Sequence, residues 1–253
     1  MLTFLLLAAS VIAAQNTPRF EAATIKPTPP GAPKGSLRPL PGGQRYVGVN
    51  FPLRLYLMTA YQIKPEQITG GPSWIDSDPY DLNAEAARPS TIQDLHIMLQ
   101  NLLTGRFKLQ LHHEPKEMSA YVLSVAKGGS KNLTPHPNAG AKDLHLSQTT
   151  EQVERAKWTA RCASMDMLAY QLSLTLDRPV VNQTALSGCF DFDLTFHWEM
   201  GYHDGQVVNG AIVDASAPSL FDAFPVELGL QLEPKKTLVD TIVIDHAERP
   251  ADN

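Results

Sequence analysis

Apolar positions along this chain keep two rhythms in turn, one of period two and one of helical period, and their order predicts its elements. Tyr80, Leu82 and Ala84 alternate with Asp81, Asn83 and Glu85, as a strand with one buried face requires. Just beyond, Ile92, Leu95, Met98, Leu99, Leu102 and Leu103 trace a helical stripe; Ser90 and Gln93 fit a capping box before it and Gly105 stops it. Upstream, residues 20–26 (FEAATIK) have strand character and end at the Pro-rich turn 27–33, and Gly42 and Gly43 precede a short strand at 45–49. Asn50 suits the cap of a helix that places Leu53, Tyr56, Leu57, Ala60 and Tyr61 at helical spacing, with Pro52 tolerated in its first turn. Gly70, Gly71 and Pro72 make a turn, and Trp74 and Ile75 supply bulk where the chain re-enters the core. Two strands, 107–112 and 120–126, close this run.

Residues 127–156 carry Gly, Pro, Asn and charge without a period and read as a linker, after which the order begins again. Residues 158–162 are a strand, Ser164 caps a helix through Met165, Leu168, Leu172 and Leu176, and a strand begins at 179–181. Phe190, Phe192, Leu194 and Phe196 alternate with Asp191, Asp193, Thr195 and His197. A helix at 219–228 holds Pro225 inside it, which should kink or split it at ~3 kcal/mol. Strands at 230–233 and 240–246 finish the chain, and 199–218 is a long polar insertion of a length more often functional or disordered than a bare connector. Tyr80-Asp81-Leu82 and Phe190-Asp191-Phe192 hold corresponding places, 110 residues apart. The expected fold class is α+β, with two similar halves at 15–126 and 157–253, each with helices packed on a small mixed or antiparallel sheet.

The first fourteen residues, MLTFLLLAASVIAA, are apolar, too short to span a bilayer as a stable helix, and end in small residues before Gln15. They read as a secretory signal cut near Ala13 or Ala14, although no Lys or Arg precedes the apolar run; an uncleaved anchor is the rival reading. The expected location is therefore periplasmic or extracellular, with no membrane span after cleavage. Export bears on Cys162 and Cys189, the only two cysteines. An oxidising compartment permits a disulfide between them, and two buried free thiols fit the same sequence. At net charge −5 and with no basic cluster, the chain offers phosphate backbones no attraction, so no nucleic-acid partner is expected.

Candidate chemistry is sparse. Asp191 and Asp193 share a strand face, with Asp81 as a third carboxylate, a grouping a glycosidase or a Ca²⁺ site could use; alternation on an exposed sheet face explains them equally. His112-His113-Glu114 lacks the helical spacing of a zinc motif, and neighbours on a strand face apart. The same holds for Asp245 and His246. There is no serine elbow, and Gly70-Gly71-Pro72 is too short for a phosphate loop. The three tryptophans, Trp74, Trp158 and Trp198, suit a stacking platform or, scattered as they are, the core. No catalytic, metal or cofactor set is assigned.

Five stretches carry a resemblance: FEAATIKP at Phe20, ITGGPSWIDSDPYDLNAEA at Ile68, LLTGRFKLQLHHEPKEMSAYVLSVAKGG at Leu102, RPVVNQTALSGCFDFDLTF at Arg178 and LGLQLEPKKTLVDTIVIDHAERPADN at Leu228. Together they resemble the soil-associated domain of unknown function expanded in acidobacteria. The resemblance implies export, and in some members fusion to a membrane sensor peptidase of the BlaR type; it brings no activity and no catalytic residue. Each half is also similar in its order of elements to the short N-terminal domain of secretins and TonB-linked receptors, a periplasmic interaction module, which implies docking. The function expected is a non-catalytic exported module that binds or senses an envelope protein or small ligand. The alternative is an extracytoplasmic hydrolase using Asp81, Asp191 and Asp193.

Overall fold

The computed structural model describes residues 17–33, 35–137, 145–152, 155–197, 205–208, 211–212 and 216–251. The apolar run at 1–14, read from the sequence as a secretory signal, and Trp198 lie outside them, as does most of the insertion at 199–218. In chain order the elements are β1 (Ala22–Pro27), β2 (Ser36–Pro39), β3 (Arg45–Pro52), α1 (Leu53–Tyr61), β4 (Ile68–Gly70), α2 (Trp74–Ser77), β5 (Pro79–Glu85), α3 (Ile92–Arg106) and β6 (Gln110–Val125). There follow β7 (Thr134–Pro135), β8 (His145–Gln152), β9 (Arg155–Ala163), α4 (Met165–Thr175), β10 (Val180–Asn182), β11 (Phe190–His197), β12 (Val207–Val208), β13 (Ala211–Ile212), α5 (Leu220–Ala223) and β14 (Leu230–His246). The fold is α+β.

Two antiparallel sheets, ordered β1-β5-β3-β2 and β7-β11-β9-β8, stand at either end of a third, β10-β6-β14-β4. The third is built on one long ribbon in which β6 and β14 run antiparallel from Leu230 opposite Val125 to His246 opposite Gln110. Each short strand joins the long strand of the other half, in parallel: β4 pairs Ile68 with Ile242, and β10 pairs Val180 with Tyr121. One core therefore gathers Tyr56, Trp74, Tyr80, Leu99 and Phe107 together with Ile244 from the far end of the chain. The other gathers Trp158, Leu168, Phe192 and Phe224 together with Leu123 from the first half. Two hydrogen bonds tie the link after α1 to the second half. The Lys64 ammonium donates to the carbonyls of Ser173 (2.7 Å) and Leu176 (2.6 Å), the unsatisfied end of α4, where a cation suits the helix dipole.

The structure departs from the sequence pattern where local signals mislead. The strands read at 107–112 and 120–126 belong to one strand, β6, which begins only at Gln110 because Phe107 caps α3 and Lys108 turns left-handed (φ 49°), and 230–233 and 240–246 are one strand, β14. Pro115 and Pro234 read as turns, and residues 112–115 and 233–236 are exposed, so no one-sided alternation marks them. The stretch read as a linker holds β7 and β8, paired to β11 and β9; its polar sequence HLSQTTEQ gives no apolar face to detect. Helix α3 is capped by Thr91, not Ser90: its hydroxyl accepts the Asp94 N–H at 3.1 Å and donates to the Asp94 carboxylate at 2.9 Å. Asn50 does not cap α1, whose N-cap is Pro52. Pro225 falls in a π-helical turn, Phe224–Leu228, that follows the single turn of α5.

Residues 68–86 show how the ribbon holds the first core. Gly70 has φ +75°, and a Cβ there would meet the Ile244 carbonyl at 2.6 Å, so glycine lets β4 lie against β14. The turn delivers Trp74 onto Phe107, rings stacked 6.1 Å apart, and against the edge of Tyr80 at 6.4 Å. The Arg249 guanidinium sits 5.2 Å from the Trp74 ring centre and closes the cluster. Trp74→Ala should therefore lose ~3 to 5 kcal/mol of unfolding free energy in denaturant melts, as for other buried aromatics. A loss under ~1 kcal/mol would show that the cluster does not hold the turn.

Candidate functional site

The carboxylates that the sequence singles out do not converge. Asp81 lies on β5 in the first sheet, and Asp191 and Asp193 lie on β11 in the sheet at the other end. Asp81 and Asp191 instead repeat one local device. The Asp81 carboxylate accepts the backbone N–H of Asn50 (2.8 Å) and the Thr28 hydroxyl (2.7 Å). The Asp191 carboxylate accepts the backbone N–H of Cys162 (2.8 Å) and contacts His136 Nδ1 at 2.9 Å. Asn50 and Cys162 are both left-handed, at φ 58° and 51°, and both stand where the strand register shifts. A bulge leaves an amide outside the ladder, and the carboxylate on the next strand takes it. That amide, with His136, holds the Asp191 carboxyl below the usual carboxylate range. Cys162 and Cys189 are joined as a disulfide, Cα atoms 4.6 Å apart, beside the second bulge.

Asp193 lies 4.0 Å from both Lys157 and Arg161 and is half exposed, beside an open hollow of about 610 Å³ that also borders Asp191. The ribbon histidines are each taken by a carboxylate: His112 by Asp245 (2.8 Å), His113 by Asp240 (2.7 Å) and His246 by Glu248 (2.9 Å). His112 and His113 thus engage different acids, as opposite faces of one strand require. Gly70, Gly71 and Pro72 serve packing, and Trp74 and Trp158 belong to separate cores. Among the described residues no group of three or more His, Cys, Asp or Glu is placed to hold a metal ion.

A different feature gives the chain a recess. Residues 17–20 run beside α3 as a strap, tied down where Asn101 Nδ2 donates to the Pro18 carbonyl (2.8 Å), and just beyond it Arg106 donates to the Ala23 carbonyl of β1 (2.9 Å). Between strap and helix lie two hollows that share Arg19 and Met98. One, of about 690 Å³, is polar and bordered by Arg19, Arg88, Thr91 and Asp94. The other, of about 470 Å³, is largely apolar and bordered by Phe20, Met98, Leu102 and Gly105. The cap residue Thr91 and the α3 positions Asp94, Met98, Asn101, Leu102 and Gly105 form one helical stripe of the lining, flanked by Thr104 and Arg106. Leu102 packs against the first core, half-buried, as its periodicity predicts, whereas Gly105, read as a helix stop, faces open space inside a helix that continues to Arg106. The available signal was an apolar arc on α3 wider than one sheet-facing stripe needs.

The buried side of the same helix holds His96, 8% exposed, with Nδ1 lacking a hydrogen-bond partner among the described residues. Its ring meets Tyr46 edge-on at 6.2 Å. Burial pushes its pKa down to about 4.

A family model described as a protein of unknown function (DUF3738) matches residues 54–247, from the first turn of α1 to just past β14. No curated protein and no solved structure matches the chain.

Two outcomes follow from this geometry. Asp81→Ala and Asp191→Ala should each lower stability by ~1 to 3 kcal/mol in denaturant melts, since each strands a bulge amide; unchanged melts would refute the shared role. His96 stays neutral in the folded chain while the unfolded imidazole titrates near 6.5, so the stabilising difference is complete above that pH and lost as pH falls towards 4. Between pH 7 and 5 the loss is about 2 kcal/mol. His96→Leu should flatten the profile in that window, whereas an unaltered profile would assign the acid sensitivity elsewhere.

Proposed function

The chain belongs to the family described as a protein of unknown function (DUF3738), and on that footing we propose that it is an exported, non-catalytic binding module of the cell envelope. The recess between the strap and α3 is its ligand site. The reading is carried by where the carboxylates go: Asp81 and Asp191 each hold a bulge amide, in two different sheets. Among the described residues the recess contains no acid–base pair to replace them. Its carboxylate, Asp94, is engaged by the Thr91 hydroxyl at the helix cap. The apolar leader at 1–14 supports export. The resemblance to the soil-associated acidobacterial family, with its fusions to BlaR-type sensors, supports a sensing role for bound ligand. The repeated order of elements, similar to the secretin and TonB-linked module, supports docking to an envelope protein. Among the described residues no helix is long and apolar enough to cross a membrane.

The hydrolase reading retains one specific observation, the His136–Asp191 pair beside the open hollow on β11, with the carboxylate placed to orient the imidazole. Panels of polysaccharide, ester and peptide substrates separate the two readings. No turnover above buffer is expected from the purified protein. Turnover that His136→Gln abolishes, with the melt unchanged, would replace the binding reading with the catalytic one.

A further inference from the structure

The recess along α3 is divided by chemistry as well as by shape, and the division specifies a ligand. In the polar hollow the guanidiniums of Arg19 and Arg88 are exposed and have no carboxylate partner among the described residues. Against them stands Asp94, so the hollow carries one unbalanced positive charge on a chain of net charge −5. Met98 and Arg19 border both hollows, making them one path. Beyond Met98 the apolar walls are Phe20 and Leu102; Asn101, Thr104 and Arg106 also border this part, the Arg106 guanidinium donating to the Ala23 carbonyl, and the floor at Gly105 is bare, since a Cβ there would meet nothing within 4 Å. From Met98 to Gly105 the helix rises about 10 Å.

We propose that this groove binds a single-tailed amphiphile with a monoanionic head, the head held between Arg19 and Arg88 and the tail laid along α3 over Met98 and Leu102 towards Gly105. A carboxylate head fits the planar donor fork of a guanidinium, which gives two hydrogen bonds per arginine. One excess positive charge matches one negative charge and leaves a dianion partly unbalanced. The apolar half accounts for what the charges do not, because the tail covers the half-exposed surface of Phe20 and Leu102 beside the buried Met98. The proposal names the ligand class for the binding reading above and rests on it.

Octanoate is the probe, with acetate as the head alone and 1-octanol as the tail alone, titrated into the purified protein by calorimetry. Octanoate should bind saturably, at least tenfold more tightly than either fragment. Arg19→Gln and Arg88→Gln, both at exposed positions, should each weaken octanoate about tenfold and leave 1-octanol unchanged. Gly105→Leu puts a side chain into the open floor and removes a helical glycine, so octanoate binding should be lost while the melting temperature holds or rises. No octanoate binding, or binding indifferent to Gly105→Leu and the arginine variants, overturns this assignment. If a different envelope component then binds saturably and without turnover, the binding reading stands without it; turnover overturns that reading itself.

Discussion

Everything in this molecule hangs on the pairing of β6 with β14. Neither end sheet has a core of its own making: the first needs Ile244 from the last strand, and the second needs Leu123 from the middle of the chain. The ribbon supplies both, and the parallel additions of β4 and β10 fasten each half onto the strand of the other. Hydrogen bonding along so long a ladder fixes register, and a one-residue slip would turn Ile242, Ile244 and Leu232 away from their cores. Lys64, held by the end of α4, and Gln67, which donates to the Asp240 carbonyl (2.9 Å), brace the same crossing.

The two bulge locks show how polar residues in a strand become committed to architecture. A left-handed residue lifts its amide out of the ladder, and burial makes an unpaired amide expensive. An aspartate on the neighbouring strand is close enough to accept, and a third group, Thr28 in one sheet and His136 in the other, fixes its orientation. The result is an Asp at the same place in two sheets with no chemistry shared between them. In sequence this looks like a repeated acidic motif. In space it is a repeated repair of backbone geometry.

What the sequence disclosed was whatever one face of one element could encode. The alternation at β5 and β11 and the stripe of α3 were legible because their buried positions recur within a few residues. The ribbon was not, because prolines at 115 and 234 and exposed stretches in both strands imitate turns. Strand β8 was not, because an edge strand can be polar throughout. The wide apolar arc of α3 signalled only one wall of the groove; the other is the strap at 17–20, more than seventy residues before the helix it faces, and no periodicity links them. The two cysteines were visible as a pair; their bonding depends on a register shift between β9 and β11 that composition does not report.

The exchange of strands also sets a timetable. As the chain is synthesised, α1, α3 and the first sheet are complete long before residues 242–244, so the first core waits, open on one side, until β14 is made. Contacts of such long sequence separation form late and slowly. Completion therefore comes as a single closing event when β14 docks, and until then the first core keeps one side uncovered.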